Sequence, residues 1–239
     1  MSTTKKVLVF TATYNESENI DTLIESIKKQ KHNPDLLIID DGSPDGTASK
    51  IEKLQNIHDN IFLINRGKKL GLDSAHKSAY EFAQENNYDF LITMDADLSH
   101  DPNEIENFIF YLDKNPFVIG SRYINGGKCL MKGRRLLLSK YGNLLIKFLT
   151  GINCSEFTTS YRGFDLKKLT NFHLNQIETK GYSFFMGTIV EIFKRKYPIK
   201  EIPIIFKDRF KGVSKIPKLE IFRTLKNLLI ISINRKIKN

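Results

Sequence analysis

Phe90-Leu91-Ile92-Thr93-Met94-Asp95-Ala96-Asp97 is the stretch from which the fold can be read. Phe90–Met94 is a short apolar run suited to a strand buried on both faces, and it stops at two acidic residues. In an open α/β sheet, ligands bind beyond the carboxyl ends of the strands. The two-residue side-chain period of an extended chain sends Asp95 and Asp97 to the same side. Two carboxylates held together repel unless something positive lies between them, and a hard divalent cation with oxygen ligands meets that need. Magnesium or manganese bound there would bridge substrate phosphates. The competing explanation is a turn that caps the helix starting at Pro102. Ser99 or Asp101 supplies that cap unaided, and Asp95 and Asp97 lie too early to do so.

Working outward, Val7–Ala12, Leu36–Asp40, Ile61–Asn65 and Phe117–Gly120 are further apolar runs of strand length. Between the runs lie amphipathic stretches of helical length: Glu16–Lys29, Thr47–Ile57, Ser74–Glu85 and Pro102–Leu112. This alternation predicts an α/β fold with a mostly parallel sheet flanked by helices. The second half is less regular. A Gly-rich turn (Gly126, Gly127, Gly133) leads into a basic amphipathic segment, Arg134–Leu149. A helix near Tyr182–Lys194, a strand Ile199–Phe206, a basic loop and a closing helix from about Lys218 to Ile233 follow. No repeat, low-complexity tract or linker interrupts the chain, so residues 1–239 read as one domain whose role changes near residue 114.

Charge marks the same change. The 239 residues are 41% hydrophobic and 27% charged, with 37 Lys+Arg against 27 Asp+Glu, a net +10. Residues 1–113 hold 11 basic and 20 acidic side chains, a net −9, and residues 114–239 hold 26 and 7, a net +19. No acidic residue lies between Asp113 and Glu156, where Lys114, Arg122, Lys128, Lys132, Arg134, Arg135, Lys140 and Lys147 fall. A one-sign stretch of this length faces anions rather than merely solubilising a surface. The longest stretch without Asp, Glu, Lys or Arg is ten residues, Gly181–Val190, about half of the ~20 that span a bilayer. No secretory signal is visible, and Cys129 and Cys154 have neither disulfide-framework nor metal-ligand spacing. A cytoplasmic protein is expected.

Other strand ends carry chemistry as well. Asp40-Asp41-Gly42-Ser43-Pro44-Asp45-Gly46-Thr47 combines a tight turn and a helix start with two carboxylates that could accept from a nucleobase or a ribose hydroxyl. Turn and function explain it about equally. In Thr13-Tyr14-Asn15-Glu16, Tyr14 could stack on a base and Glu16 accept from it, though a helix cap looks similar. Arg122 follows the fifth strand and is expected at the edge that holds the Asp pair. Arg134, Arg135 and Ser139 lie near a helix start, which favours phosphate, with Arg135 and Ser139 on one face. The same segment carries Leu136, Leu137, Leu138, Leu144, Leu145, Phe148 and Leu149, apolar residues almost all round, and so packs on protein or dips into a membrane interface. Arg209–Lys215 is a basic, Gly-containing loop that could close over a diphosphate or remain merely exposed. His100, near the Asp pair, reads as a capping or packing residue. GxGxxG and GxxxxGK[ST] are absent.

Tyr14-Asn15-Glu16, Asp40-Asp41-Gly42-Ser43-Pro44-Asp45-Gly46-Thr47, Lys69-Leu70-Gly71-Leu72, Asp95-Ala96-Asp97-Leu98-Ser99-His100 and Gly120-Ser121-Arg122-Tyr123 keep their order and spacing over roughly residues 7–216. In these motifs the chain resembles the dolichyl-phosphate mannosyltransferases, or polyprenol monophosphomannose synthases, which are family 2 glycosyltransferases with a GT-A fold. The resemblance implies a GDP-mannose donor, a polyprenyl or dolichyl phosphate acceptor and a Mg2+ or Mn2+ ion. It places Ala12 and Ile39 (both through backbone), Tyr14, Glu16, Asp41, Asp95 and Ala96 on the donor, with Arg209 and Lys215 covering it from the loop. Asp95 and Asp97, with Ser99 as a further contact, would hold the metal, and Arg122, Arg135 and Ser139 the acceptor phosphate. Some positions depart from the pattern. Ala12 stands for proline, Asp73 for glycine, and Glu156 for the aspartate of an Asp-x-Thr-Ser-Gly-Phe-Arg-like segment, here Glu156-Phe157-Thr158-Thr159-Ser160-Tyr161-Arg162. Some members carry C-terminal transmembrane helices, none of which is visible in this sequence.

The implied chemistry uses no protein base, because a phosphate monoester is already anionic near neutral pH. Asp97, through the metal, and Arg122 are the expected catalytic residues, acting by position and charge in one inverting displacement. A related glycosyltransferase using UDP-glucose or another donor, with a polyprenyl phosphate or glycan acceptor, is the alternative. A nucleic-acid-binding module would explain the basic half but leaves the acidic strand ends without a purpose, so no nucleic-acid partner is expected. Attraction to an anionic membrane would hold the protein peripherally at its cytoplasmic face, alone or through a separate membrane-anchoring subunit.

Overall fold

Strands form where the sequence supplies apolar residues for two faces at once. A computed structural model describes residues 5–208 and 226–228. In it Val7–Thr13 (β1), Asp35–Asp40 (β2), Ile61–Asn65 (β3) and Phe90–Asp95 (β4) pair in parallel in the order β3-β2-β1-β4. Along β1, Leu8 and Phe10 enter one core layer and Val7 and Val9 the other, so these four successive positions are all apolar. Helices Ile20–Lys28 (α1), Thr47–Gln55 (α2) and Ile105–Leu112 (α4) cover one face. Leu72–Glu85 (α3) and Ser183–Lys194 (α6) cover the other, with a smaller contribution from Gly133–Thr150 (α5).

Beyond β4 the sheet differs from the simple rhythm. Phe117–Ser121 (β5) does not adjoin β4. Arg162–Asp165 (β7) lies between them, antiparallel to both. The full order is β3-β2-β1-β4-β7-β5-β8, with Ile199–Pro203 (β8) parallel to β5. Two antiparallel pairings in succession leave β5 pointing the same way as β4, so the carboxyl ends of β1, β2, β4 and β5 share one edge. The sequence hides β7, since Arg-Gly-Phe-Asp is four residues of mixed polarity. Its glycine is needed, because a Cβ on Gly163 would meet Leu112 Cδ1 at 2.9 Å.

The expected strand Ile199–Phe206 is two strands. The Ile204 N–H donates to the Ser121 carbonyl (3.1 Å) while the Ile204 carbonyl accepts from the Lys128 N–H (2.9 Å), so the chain changes partner there. Ile205–Phe206 (β9) then pairs with Lys128–Cys129 (β6) in a separate two-stranded sheet. On α5 only Asn143, Ile146 and Thr150 are buried, and among the described residues Leu137, Leu138, Tyr141, Leu144 and Phe148 are exposed. Of the expected closing helix, residues 226–228 are helical and Leu228 joins the core. The rest of that helix and the loop Arg209–Lys215 lie outside the described residues. Among the described residues no helix is long and apolar enough to cross a membrane.

Candidate active site

Register builds the first part of the site. Ala12 pairs with Ile39 on one side and Asp95 on the other, so three residues expected at the donor form one row across the sheet edge. Tyr14 follows β1, half-buried, with Lys69 Nζ 4.3 Å from the ring centroid. Glu16 is buried, and its Oε2 accepts from Asn19 Nδ2 at 2.8 Å. The Glu16 N–H donates to Thr47 Oγ1 at 3.0 Å, which ties the chain entering α1 to the start of α2. The Glu16 carbonyl accepts from the Asn19 and Ile20 N–H groups (2.9 and 3.0 Å), whereas Asn19 is the N-cap of α1 and makes no side-chain cap hydrogen bond.

The octapeptide after β2 is held by its own carboxylates. Asp40 Oδ1 accepts from Thr13 Oγ1 (2.8 Å) and Ser43 Oγ (2.5 Å). Asp41 Oδ1 accepts from Arg66 Nε (2.5 Å), and its Oδ2 from the Gly71 N–H (3.1 Å). Arg66 goes on to Ser74 Oγ (2.6 Å) and the Gly71 carbonyl (3.0 Å). Asp41 and Arg66 are therefore a buried ion pair joining β2, the end of β3 and the start of α3. Gly42 sits at φ +71° against Gly67, where a Cβ would come within 2.6 Å of a backbone carbon. Burial opposes ionisation of Asp45, but hydrogen bonds from Thr47 and Ser17 outweigh it and hold its carboxyl at about 2.

At the end of β4 the two carboxylates differ. Asp97 is buried, and its Oδ1 accepts from the Ser99 N–H (3.1 Å) and Ser99 Oγ (2.6 Å). Ser99 is fully buried, so its hydroxyl serves Asp97. The Asp95 side chain is 38% exposed, with Oδ1 accepting from Ser160 Oγ at 2.5 Å. His100 Nδ1 accepts the Asp95 N–H (3.0 Å), which puts the ring proton on Nε2, facing Thr159 Oγ1 at 3.1 Å. Burial lowers the His100 pKa, so its 3.7 Å approach to Asp95 Oδ2 is no ion pair. Among the described residues no group of three or more His, Cys, Asp or Glu could hold a metal. A two-carboxylate, all-oxygen set still fits Mg2+ or Mn2+, ions that complete their shell with water and substrate phosphates.

Arg122 reaches the same edge, as expected. It is buried, and its guanidinium is taken by Glu156: Nε to Oε2 at 2.6 Å and Nη2 to Oε1 at 2.8 Å. Nη2 also donates to Thr158 Oγ1 (2.8 Å), and Phe206 lies 5.0 Å beneath the guanidinium. Burial opposes the charge of each partner. Their mutual attraction wins, so the Arg122 pKa is raised and that of Glu156 lowered. Ser139 accepts from the Tyr123 hydroxyl at 2.7 Å. Arg135 is exposed. A cavity of about 470 Å³ opens between α5 and the turn after β5. Arg122, Tyr123, Lys128, Lys140, Leu144 and Lys147 help to line it, whereas Arg135 and Ser139 do not. A second depression, of about 690 Å³, lies beside the C-terminal ends of α3 and α6, and its Arg195 is committed to Glu191 and Asn171.

Residues 8–172 match the family described as Glycosyl transferase family 2. The chain belongs to that family. Polyprenol monophosphomannose synthase of Mycolicibacterium smegmatis is 33% identical over 216 residues, covering 89% of this chain and 82% of that protein. Undecaprenyl-phosphate mannosyltransferase of Micrococcus luteus is 31% identical over 212 residues, covering 88% and 87%. Glucosyl-3-phosphoglycerate synthase of Mycobacterium tuberculosis, solved with Mn2+, UDP and glucosyl-3-phosphoglycerate, has a TM-score of 0.67 at 16% identity over 97% of this chain and 80% of that one. A mannosyltransferase from Pyrobaculum calidifontis, solved with GDP-Man and Mn2+, has a TM-score of 0.61 at 17% identity over 100% of this chain and 66% of that one. Identities this low bear on fold alone, and the fold of this family 2 chain is GT-A-like.

Sequence reasoning missed several residues that shape this family 2 site. Arg66 partners Asp41 across 25 positions, and Ser160 partners Asp95 across 65. Arg162 is fully buried and enters no ion pair among the described residues. It donates instead to the carbonyls of Thr159 (2.9 Å), Phe185 (2.7 Å) and Phe157 (3.0 Å). Burial lowers its pKa to about 9. The one signal available was the departure at Glu156, whose carboxylate engages Arg122 through both oxygens. Arg209 and Lys215, expected over the donor, lie outside the described residues.

Proposed function

We propose that this family 2 glycosyltransferase moves mannose from GDP-mannose to a polyprenyl (dolichyl) phosphate with inversion at the anomeric carbon. One observation carries the reading. The half-exposed Asp95 and the cavity lined by Arg122 and three lysines are joined by the single segment 156–160, which hydrogen-bonds to both. A place for a diphosphate with its cation thus adjoins a place for a second anion. The relatives named for mannosyl transfer to polyprenyl phosphates support the choice of sugar and acceptor.

Ala12, Tyr14, Glu16, Ile39, Asp41 and Ala96 surround the nucleoside, and Arg209 and Lys215, outside the described residues, are assigned to the donor with them. Asp95 and Asp97 are the residues that would hold Mg2+ or Mn2+, with Ser99 acting through Asp97. The ion, when bound, offsets negative charge on the departing diphosphate. Arg122 aligns the acceptor phosphate at the cavity, with Arg135 and Ser139 of α5 assigned to it from outside the cavity lining, and a phosphate oxygen attacks the anomeric carbon as the bond to GDP breaks. The acceptor arrives ionised, so the side chains position and neutralise rather than take a proton. Residues 1–239 work as one unit, 1–113 for the donor and 114–239 for acceptor and membrane. The exposed leucines of α5 and the basic excess hold the protein at the cytoplasmic face of an anionic membrane.

The UDP complex of the Mycobacterium tuberculosis fold relative makes UDP-glucose the donor to test against GDP-mannose. A panel of labelled sugar nucleotides, offered with a short polyprenyl phosphate and Mn2+, decides between them. Label should enter lipid from GDP-mannose as a β-mannosyl phosphate. Transfer from UDP-glucose alone would overturn the mannose assignment, and transfer from neither would overturn the acceptor class.

A further inference from the structure

Asp95 closes β4 with a side chain that is 38% exposed, so packing alone does not fix its carboxylate. The segment before β7 does. Ser160 is 3% exposed, and its hydroxyl donates to Asp95 Oδ1 at 2.5 Å. The donor direction is forced, since an ionised carboxylate only accepts. Ser160 is itself anchored, because its carbonyl accepts from Thr93 Oγ1 on the same strand as Asp95, two residues earlier. Its neighbour Thr159 faces His100, whose other ring nitrogen accepts the Asp95 N–H. Arg162 pins the segment from behind through the carbonyls of Phe157 and Thr159. Asp95 is therefore gripped at its main chain through His100 and at one carboxylate oxygen through Ser160, while Oδ2 is left clear of Ser160.

We propose, resting on the assignment of Asp95 to the metal, that Ser160 is a positioning residue that decides which Asp95 oxygen is offered to the cation. Ser160 stands where the Asp-x-Thr-Ser-Gly-Phe-Arg pattern has glycine, so the hydroxyl is a feature of this chain rather than of the pattern. Partners that orient a metal-binding carboxylate typically change metal affinity by about 10–100-fold when removed. The hydroxyl is given to Asp95, so on this assignment its loss acts through the metal and not through the nucleoside pocket.

The test is calorimetric titration of GDP with and without Mn2+, on the wild-type chain and on Ser160→Ala, Ser160→Gly and Asp95→Asn. The ratio of the two affinities measures how strongly the protein couples nucleotide to metal. Asp95→Asn should abolish the Mn2+ enhancement. Ser160→Ala and Ser160→Gly should each reduce it about tenfold, with the Mn2+-free affinity and the melting temperature as in the wild type. An enhancement within about twofold of wild type in both Ser160 variants, with Asp95→Asn losing it, overturns the role of Ser160 alone. Equal loss of GDP affinity with and without Mn2+ also overturns it, since that is the mark of a merely structural residue. If Asp95→Asn keeps the enhancement, the metal assignment falls and the role of Ser160 with it.

Discussion

Asp40–Asp41 and Asp95–Asp97 both end apolar strands at the same edge of the sheet, and the protein surrounds them differently. The first pair is filled from within: Thr13 and Ser43 on Asp40, Arg66 and Gly71 on Asp41. In the second pair, Asp97 is braced by its own loop through Ser99, and Asp95 reaches solvent with one oxygen held by Ser160. A carboxylate whose positive partner belongs to the protein is chiefly part of the fold. Asp95, held by the neutral Ser160 hydroxyl and open to solvent, keeps its charge available to a cation brought in from outside.

The sharpest way to break this contrast is Asp97→Asn. Transfer from GDP-mannose at saturating Mn2+ should fall by on the order of 10²–10³, while the melting temperature moves by only a few degrees. A variant with full activity would dissolve the distinction. Asp41→Asn should instead act on stability, because it leaves the Arg66 guanidinium buried without its carboxylate. Urea unfolding at pH 7 should show a loss of about 3 kcal/mol, against roughly 0.5 kcal/mol or less for Asp95→Asn. Equal losses for the two would mean that the pairs do not divide into one for the fold and one for the site.

A smaller effect separates fold from site by pH. His76 lies among Phe10, Phe184 and Phe185, and burial lowers its pKa from 6.5 to about 3. Below pH 6.5 the unfolded chain takes up a proton that the folded chain refuses, so stability falls as the pH drops from 6.5 toward 3. The limit is ~1.4 kcal/mol per pH unit for one group. His100, also lowered by burial, adds in the same direction. His76→Phe should flatten this limb in pH-dependent unfolding, and an unchanged profile would place the acid response elsewhere.

What the sequence made legible follows from the same physics. β1 to β5 and their helices were readable because a strand covered on both faces needs an unbroken apolar run. β7 was not, since four residues of mixed polarity carry no period and owe their place to pairing on both sides. The division of Ile199–Phe206 was hidden because the change of partner at Ile204 depends on where Ser121 and Lys128 lie in space. In the site, the spacing of Asp95 and Asp97 was visible, and so was Arg122. Their supports were not, because Ser160 and Glu156 arrive from a segment more than 30 residues away in sequence. The octapeptide at Asp40–Thr47 looked equally like a turn and a binding site, and it holds the turn together with the very carboxylates that raised the question.

The Arg122–Glu156 pair has a consequence for how an anion would reach the cavity. A guanidinium closed on a carboxylate is a dipole, and the field of a dipole fades with distance much faster than that of a lone charge. Lys128, Lys140 and Lys147 around the same cavity enter no ion pair among the described residues, so their attraction reaches out to about a Debye length, roughly 8 Å in physiological salt. Drawing the anion in and setting its angle are then tasks of different residues. Salt would screen the first and leave the second nearly untouched.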